Sequence, residues 1–353
     1  MIYKKKKTVL HLIDSFNSGG AETLIKSYIP LLPHYKHLVV VFEQTDEILP
    51  KDYLFINLNL HPKKNFFRIV LSLKKLITEN KVDIVHSHSY WSNILSRLST
   101  PSYLKVINHY HFSDYDTLSR TPSVRRMIFV DKFIGHKNLV RIAVSNYVGK
   151  ILSKTFKICN PVILTNFVIP SSDNRYALKN GINNLKVVAV GHCNKEKNYN
   201  VILDAFKLLR NKPITIDIIG GGGLLTYLKN EVDKQQLDNI KFLGSVLWAP
   251  KFLPNYNLYL STSKLETFGM ASIEAMAAGL PLLLSKIPAF LEVAEDYAIF
   301  FDPDDPIDLA NKLEEFLMQK YKFPEKDFYK DRLAEYSKDK FIKNFNAIYQ
   351  FTK

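Results

Sequence analysis

Glu266 and Glu274 stand with seven residues between them, and Gly269 lies in that interval. The surrounding block, Ser261 to Pro281, reads STSKLETFGMASIEAMAAGLP. An apolar strand ends at Ser261, a short loop carries Glu266 and Gly269, and the spacing predicts a helix opening near Met270. A helix that starts just after a glycine points unpaired backbone N–H groups and the positive end of its dipole at whatever lies ahead. That arrangement suits a diphosphate. Two carboxylates beside it would accept hydrogen bonds from the hydroxyls of a sugar and a ribose. An ordinary strand–turn–helix unit with Glu274 on a solvated face fits these residues about as well.

Other predicted strand ends carry weaker signals. Residues 191–198 (GHCNKEKN) place Lys197 in a loop, and a lysine suits a phosphate as a compact point charge. Residues 17–22 (NSGGAE) and 219–223 (IGGGG) are glycine turns, which admit close backbone approach to a ligand but are common. Paired histidines end two strands of the first half, His86 with His88 and His109 with His111. Residues two apart on a strand point to the same side. Imidazoles suit zinc, yet no carboxylate or cysteine lies close enough in sequence to complete a set, so a metal site is the lesser reading. Asp302-Pro-Asp304 spells D-x-D, but in a late loop.

Alternating apolar runs and amphipathic stretches must position these residues. Val9–Ile13, His37–Phe42, Asp83–His86, Lys105–His109 and Ile142–Val144 read as buried parallel strands, with helical spacing over Glu22–Leu32, Phe66–Glu79 and Trp91–Leu98. After residue 184 the same alternation gives strands at Leu185–Val190, Ile214–Ile219, Ile240–Leu243, Leu258–Leu260 and Leu280–Leu284. Helices are predicted at Val201–Leu209, Leu224–Gln235, Ala271–Ala278 and Ile307–Met318, and a last one over roughly Lys330 to Phe351. The expected class is α/β, with two Rossmann-like doubly wound domains. The expected boundaries are 1–170, a polar linker at 171–184, 185–329, and a C-terminal helix at 330–353 packing back on the first domain.

Composition agrees with a folded globular chain: 353 residues, 46% hydrophobic and 12% aromatic, long enough for two domains. Two cysteines, Cys159 and Cys193, are too few for a disulfide framework. No apolar run reaches the roughly 18 residues that cross a bilayer, and the first apolar stretch carries His11 and Asp14, which fits a strand better than a signal peptide. The net charge of +14 is lopsided. Residues 1–180 hold 26 Lys and Arg against 12 Asp and Glu, whereas the remainder is balanced at 22 of each. Such a half attracts an anionic membrane face, a phosphorylated substrate or nucleic acid. No recognised RNA- or DNA-binding module accompanies it, so nucleic acid is not an expected partner.

Residues 266–281 resemble the Glu-x7-Glu signature E-x-F-G-x-x-x-x-E-A-M-A-x-G-x-P of family 4, the retaining glycosyltransferases of GT-B fold. The likeness extends to the GGAE turn at Gly19 and Gly20 and to the G-R-x-x-x-x-K-N loop, where Lys197 matches and His192 replaces the family's arginine. It reaches the glycine turn at 219–223 and Gly244-Ser-Val246, where family members contact the base through backbone atoms. The resemblance implies two domains facing each other across a cleft and a nucleotide-sugar donor as substrate, with no cofactor and no metal. It implies donor contacts at Gly19, Gly20, His192, Lys197, Val246, Phe268, Gly269, Met270 and Glu274, with His111 (His109 as fallback) and Glu266 in the catalytic roles. Subfamilies that make surface polysaccharide often carry this histidine as His-x-His, which implies a glycan or polyprenyl-diphosphate-linked acceptor; the basic first half adds the expectation of a cytoplasmic enzyme touching the anionic inner face of the membrane. The alternatives are a GT-B sugar-nucleotide epimerase, which the Glu-x7-Glu block disfavours, and a basic nucleic-acid-binding protein.

Overall fold

Strands covered on both faces lose the polar alternation of half-exposed ones, so they appear in sequence as short apolar runs. In the computed structural model the first seven are β1 (Thr8–Ile13), β2 (Lys36–Val41), β3 (Leu54–Asn57), β4 (Ile84–Ser87), β5 (Lys105–Tyr110), β6 (Leu139–Ala143) and β7 (Val162–Ile163). They pair in the order β3-β2-β1-β4-β5-β6-β7, and every pair is parallel. Helices α1 (Gly20–Tyr28), α2 (Phe66–Glu79), α3 (Tyr90–Ser99), α4 (Pro122–Phe133) and α5 (Asn146–Phe156) connect them. The structure describes residues 6–16, 20–43, 53–111, 115, 121–157, 161–169, 183–246, 248–321 and 327–350. Gly19, Cys159 and residues 171–182 of the expected linker lie outside these.

A second parallel sheet holds β8 (Leu185–Val190), β9 (Ile214–Ile219), β10 (Ile240–Gly244), β11 (Leu258–Ser261), β12 (Leu282–Ser285) and β13 (Ile299–Phe301). Its order, β10-β9-β8-β11-β12-β13, repeats the doubly wound pattern of the first. Helices α6 (Asn200–Leu208), α7 (Leu225–Lys234), α8 (Met270–Ala277), α9 (Pro288–Ala294) and α10 (Pro306–Leu317) belong to it. The chain divides into two compact units, residues 1–166 with 341–353 and residues 167–340.

Where one helix is expected at the C-terminus there are two, α11 (Lys330–Glu335) and α12 (Lys338–Gln350). Tyr336 ends the first because its buried ring packs edge-on against Phe268, while its carbonyl accepts the Val168 N–H instead of continuing the helix. The Ser337 hydroxyl then accepts the Lys340 N–H and starts the second. The predicted strands and helices also leave out β3, β7, β13, α4, α5 and α9.

Register gives the first sheet two chemically different faces. Leu10 stands beside Leu38 and Val85, and Leu12 beside Val40. This face joins Ile69, Leu73 and Ile77 of α2 and Leu95 of α3 in an apolar core. The alternate residues send His11 beside His86, and His86 beside Ile107. On that second face lie the histidines, covered by Tyr28 of α1 and by Phe345 and Tyr349 of α12.

The end of β5 is held by a buried ion pair. Arg97 of α3 and Asp131 of α4 are joined with both side chains 0% exposed. Asp131 also accepts the hydroxyls of Tyr110 (3.3 Å) and Tyr115 (2.6 Å), and Arg97 donates to the Asn93 and Asp131 carbonyls. Tyr110 immediately precedes His111, so this network sets where His111 leaves the sheet. Asp131→Asn should cost about 3 kcal/mol or more, because it strands a desolvated guanidinium. Urea denaturation measures it, and a loss below about 1 kcal/mol would mean that water reaches the pair.

Candidate active site

In the second unit the strand order reverses between β8 and β11, where open parallel sheets bind ligands at their carboxyl ends. The loop after β8 carries Lys197 and the loop after β11 carries Glu266. They meet in an ion pair with side chains 21% and 16% exposed. Ser263 Oγ adds a hydrogen bond to Glu266 Oε1 at 3.1 Å. The two loops are stitched together by backbone: Thr262 Oγ1 donates to the Lys197 carbonyl at 2.7 Å, and the Lys264 N–H to the Glu196 carbonyl at 2.8 Å. Ser285 Oγ donates to the Ser263 carbonyl at 2.5 Å, tying in β12.

Gly269 ends the second loop with φ +83°, a left-handed conformation that side chains resist. A Cβ there would lie 2.6 Å from the Phe290 ring. Glycine is therefore required both by torsion and by packing. It lets α8 open directly from Met270, leaving first-turn N–H groups without acceptors inside the helix. The Phe268 side chain points into the core against Tyr336, so what Phe268 offers outward is backbone.

Glu274 lies within α8, and among the described residues its carboxylate has neither a hydrogen bond nor an ion pair. Desolvation pushes its carboxyl up to about 7. Buried Tyr259 feels both Glu266 and Glu274, which along with burial raise its hydroxyl. The two carboxylates thus differ in kind, one paired with Lys197 and one half-buried with no partner among the described residues.

Around this centre, His192 is exposed and Val246 half-buried at the ends of β8 and β10. Lys195 is also exposed. The glycine turn after β9 closes on the β8 loop, with the Cys193 N–H donating to the Gly221 carbonyl at 2.6 Å. Asp302 and Asp304 form a local turn, Asp302 Oδ1 accepting the Asp304 N–H, and Asp304 pairs with Lys264. They take no part in the centre. In the first unit Gly20 opens α1; a Cβ there would touch nothing, so packing does not demand glycine.

The first unit's histidine face holds more than the two expected pairs. His86 and His88 lie with ring centroids 4.2 Å apart, His109 and His111 4.1 Å apart, and the pairs stack at 5.5 Å through His86–His109 and His88–His111. His11 and His37 from β1 and β2 extend the array. Period-two spacing could flag the pairs, whereas His11, His37, Tyr28 and Tyr349 join only through register and helix packing. Burial lowers the basicity of all six imidazoles, with His111 brought down to about 3. All are neutral at physiological pH. Two triads, His11 with His86 and His88 and His88 with His109 and His111, each bring three ring nitrogens within 4.8 Å of one another. His86 Nε2 and both nitrogens of His109 are buried without a hydrogen-bond partner among the described residues.

Comparison with known proteins accords with these two halves. Residues 18–171 match the family described as Glycosyltransferase Family 4, and residues 173–338 match Glycosyl transferases group 1. The O-antigen biosynthesis glycosyltransferase WbnH of Escherichia coli is 23% identical over 350 residues, covering 98% of both chains. The alpha-monoglucosyldiacylglycerol synthase of Streptococcus pneumoniae is 24% identical over 370 residues, covering 94% of this chain and 82% of the relative. Among solved structures, Anabaena HepE in complex with UDP-glucose superposes with a TM-score of 0.80 at 16% identity, covering 98% of this chain and 100% of that one. The lipopolysaccharide outer core galactosyltransferase WaaB in its apo form gives 0.74 at 17%, covering 97% and 98%. With a Family 4 domain followed directly by a group 1 domain, each on its own doubly wound sheet, the chain belongs to the glycosyltransferases of GT-B fold.

Proposed function

We propose that the protein is a retaining glycosyltransferase that moves a sugar from a nucleoside diphosphate donor to a glycan or polyprenyl-diphosphate-linked acceptor in surface-polysaccharide assembly. The observation that carries this reading is the Lys197–Glu266 pair at the reversal of strand order, beside a helix that opens from a left-handed glycine. The relatives' O-antigen and glycolipid functions supply the acceptor class.

The donor diphosphate would lie at the N-terminus of α8 near Gly269 and Met270, with Lys197 beside it. His192 would add one donor where the family has an arginine fork. As the glycosidic bond breaks, negative charge grows on the leaving diphosphate, and fixed positive charge there lowers the barrier. A lysine already paired with a carboxylate can share its three N–H groups between Glu266 and phosphate. Glu266 is then aimed at a hydroxyl of the sugar and Glu274 at the ribose hydroxyls, with backbone at Val246 and Phe268 beside the nucleoside. The family resemblance adds Gly19 and Gly20 as donor contacts. His111 would act at the donor sugar. In this reading the charge is met without a metal or cofactor.

The test is a thermal-shift panel of UDP, GDP, ADP and CMP on wild type and Glu274→Ala. One nucleotide at roughly a hundredfold its Kd should add about 2.7 kcal/mol to wild type and nothing to the variant. Equal stabilisation of both proteins would remove Glu274 from the ribose site.

Glu274 also sets a pH dependence. Its folded pKa of about 7 lies above the usual 4.5. Between those values the folded chain keeps a proton that the unfolded chain has released, so stability falls as pH rises through this window. Glu274→Gln should therefore gain roughly 3 kcal/mol over wild type near pH 8 and almost nothing near pH 4. Nucleotide affinity should move oppositely, weakening as wild type is acidified below about 7 and staying flat in the variant. Urea denaturation and calorimetry across pH measure both.

Membrane contact rests on the first unit. Phe67 and Leu71 of α2 are 81% and 67% exposed, and Phe129 and Phe133 of α4 are 61% and 73% exposed. Arg68, Arg125, Arg126 and Lys132 lie on the same helices. Aromatics beside cations suit an anionic leaflet, and we place the protein on the cytoplasmic face of the inner membrane. Among the described residues no helix is long and apolar enough to cross a membrane. Flotation should recover more protein with anionic than with neutral liposomes, and Phe129→Ser with Phe133→Ser should abolish the difference. Equal recovery from both lipids would refute the contact.

A further inference from the structure

The histidine face contains an unbroken chain of hydrogen bonds that starts at a backbone carbonyl. His37 Nε2 lies 3.1 Å from the Leu32 carbonyl, and His37 Nδ1 lies 3.0 Å from His11 Nε2. His11 Nδ1 is 3.1 Å from the Tyr28 hydroxyl, which is 3.2 Å from His88 Nε2. His88 Nδ1 is 3.2 Å from His111 Nε2. Each of these imidazoles is neutral, so each has one N–H donor and one acceptor nitrogen.

That rule and the carbonyl decide every proton. A carbonyl oxygen only accepts, so His37 carries its proton on Nε2 and accepts on Nδ1. His11 must then donate from Nε2 and accept on Nδ1, which takes the Tyr28 O–H. The Tyr28 oxygen accepts from His88 Nε2–H, and His88 Nδ1 accepts from His111 Nε2–H. His111 is left with its proton on Nε2 and its lone pair on Nδ1.

We propose that His37, His11, Tyr28 and His88 are positioning residues that lock His111 in the Nε2–H tautomer, so that His111 accepts a hydrogen bond from a substrate hydroxyl through Nδ1 and does not donate one. The substrate end of this inference rests on the role proposed above for His111 at the donor sugar; the tautomer itself does not. The chain cannot run backwards, because a carbonyl cannot donate. It is a lock and not a proton shuttle, for the same carbonyl has no proton to pass on. A sugar presenting a hydroxyl to His111 is therefore favoured over one presenting only an acceptor, such as the corresponding deoxyfluoro sugar.

Histidine-selective nitrogen-15 labelling of the full chain tests the lock without reference to activity. Wild type should show a pyrrole-type Nε2 and a pyridine-type Nδ1 for His111, with nitrogen–nitrogen coupling across the bond to His88. Protonation of His111 on Nδ1, or displacement of both histidine signals by one equivalent of zinc chloride, would overturn it. In Tyr28→Phe the chain is cut, so His111 should become a tautomer mixture and turnover should fall by about tenfold or more with donor KM little changed. A pure Nε2–H signal in a folded Tyr28→Phe protein would also overturn the lock; if that variant does not fold, the wild-type spectrum decides alone. His111→Ala separates the two readings. Undiminished turnover there, beside a wild-type spectrum as expected, sinks the proposed role of His111 and leaves the tautomer lock standing.

Discussion

The ion pair at the centre of the second unit depends on how closely β8 and β9 bring their carboxyl ends together. A Cβ on Gly220 would sit 1.9 Å from the Gly191 carbonyl oxygen, a contact no side chain can make. Because both positions are glycine, backbone lies on backbone. The Gly191 N–H reaches the Ile219 carbonyl, and the Gly220 N–H the Gly244 carbonyl. The loop after β8 is thereby bent back so that the Lys197 stem passes over Gly191, where a Cβ would meet Lys197 Cε at 2.8 Å. Bulk at either glycine would displace the lysine from Glu266. Charge placement in this site is thus a consequence of main-chain proximity, and the side chains follow.

The first sheet solves a different problem. One face is largely aliphatic, whereas the other sets imidazoles among aliphatic side chains such as Val39, Val41 and Ile107. Burying six rings with polar nitrogens costs free energy wherever a nitrogen lacks a partner. The hydrogen-bond chain from Leu32 to His111 offsets that cost for four of them, and Tyr349 serves a fifth through His86 Nδ1 at 2.9 Å. His109 is left with neither nitrogen bonded among the described residues. Leu or Val would fill the same layer at lower cost, so packing alone does not call for these imidazoles.

How far the sequence spoke depended on what each element buries. Strands β8 and β9 were readable to the residue because apolar residues fill every buried position, with Lys186, Thr215 and Asp217 at more exposed ones. Strand β3 was not, being a half-exposed edge. Helix α4 keeps only Ile128 and Asp131 buried while showing Phe129 and Phe133 to solvent, so it has no apolar stripe to detect. The Glu266–Glu274 block was legible because torsion at Gly269 and charge at Glu266 are local demands. Behind His111, His88 was legible as one of a pair, but His11, His37 and Tyr28 were not, because they connect to it only through strand register and the packing of α1.

The two glutamates show why spacing alone cannot assign roles. Both stand near Tyr259, and both belong to one strand–loop–helix unit. Glu266 sits at a loop where the lysine and Ser263 reach it, so its charge is compensated within the protein. Glu274 is half-buried on α8, and no cation among the described residues meets it. A partly desolvated carboxylate lacking donors is destabilised in the folded protein, and hydroxyl donors brought by a ligand would relieve that. The protein therefore keeps unsatisfied acceptor capacity at Glu274, whereas Glu266 must be shared with its lysine. That difference in electrostatic state, built from identical side chains, gives the two carboxylates unequal capacity to accept hydrogen bonds from a ligand.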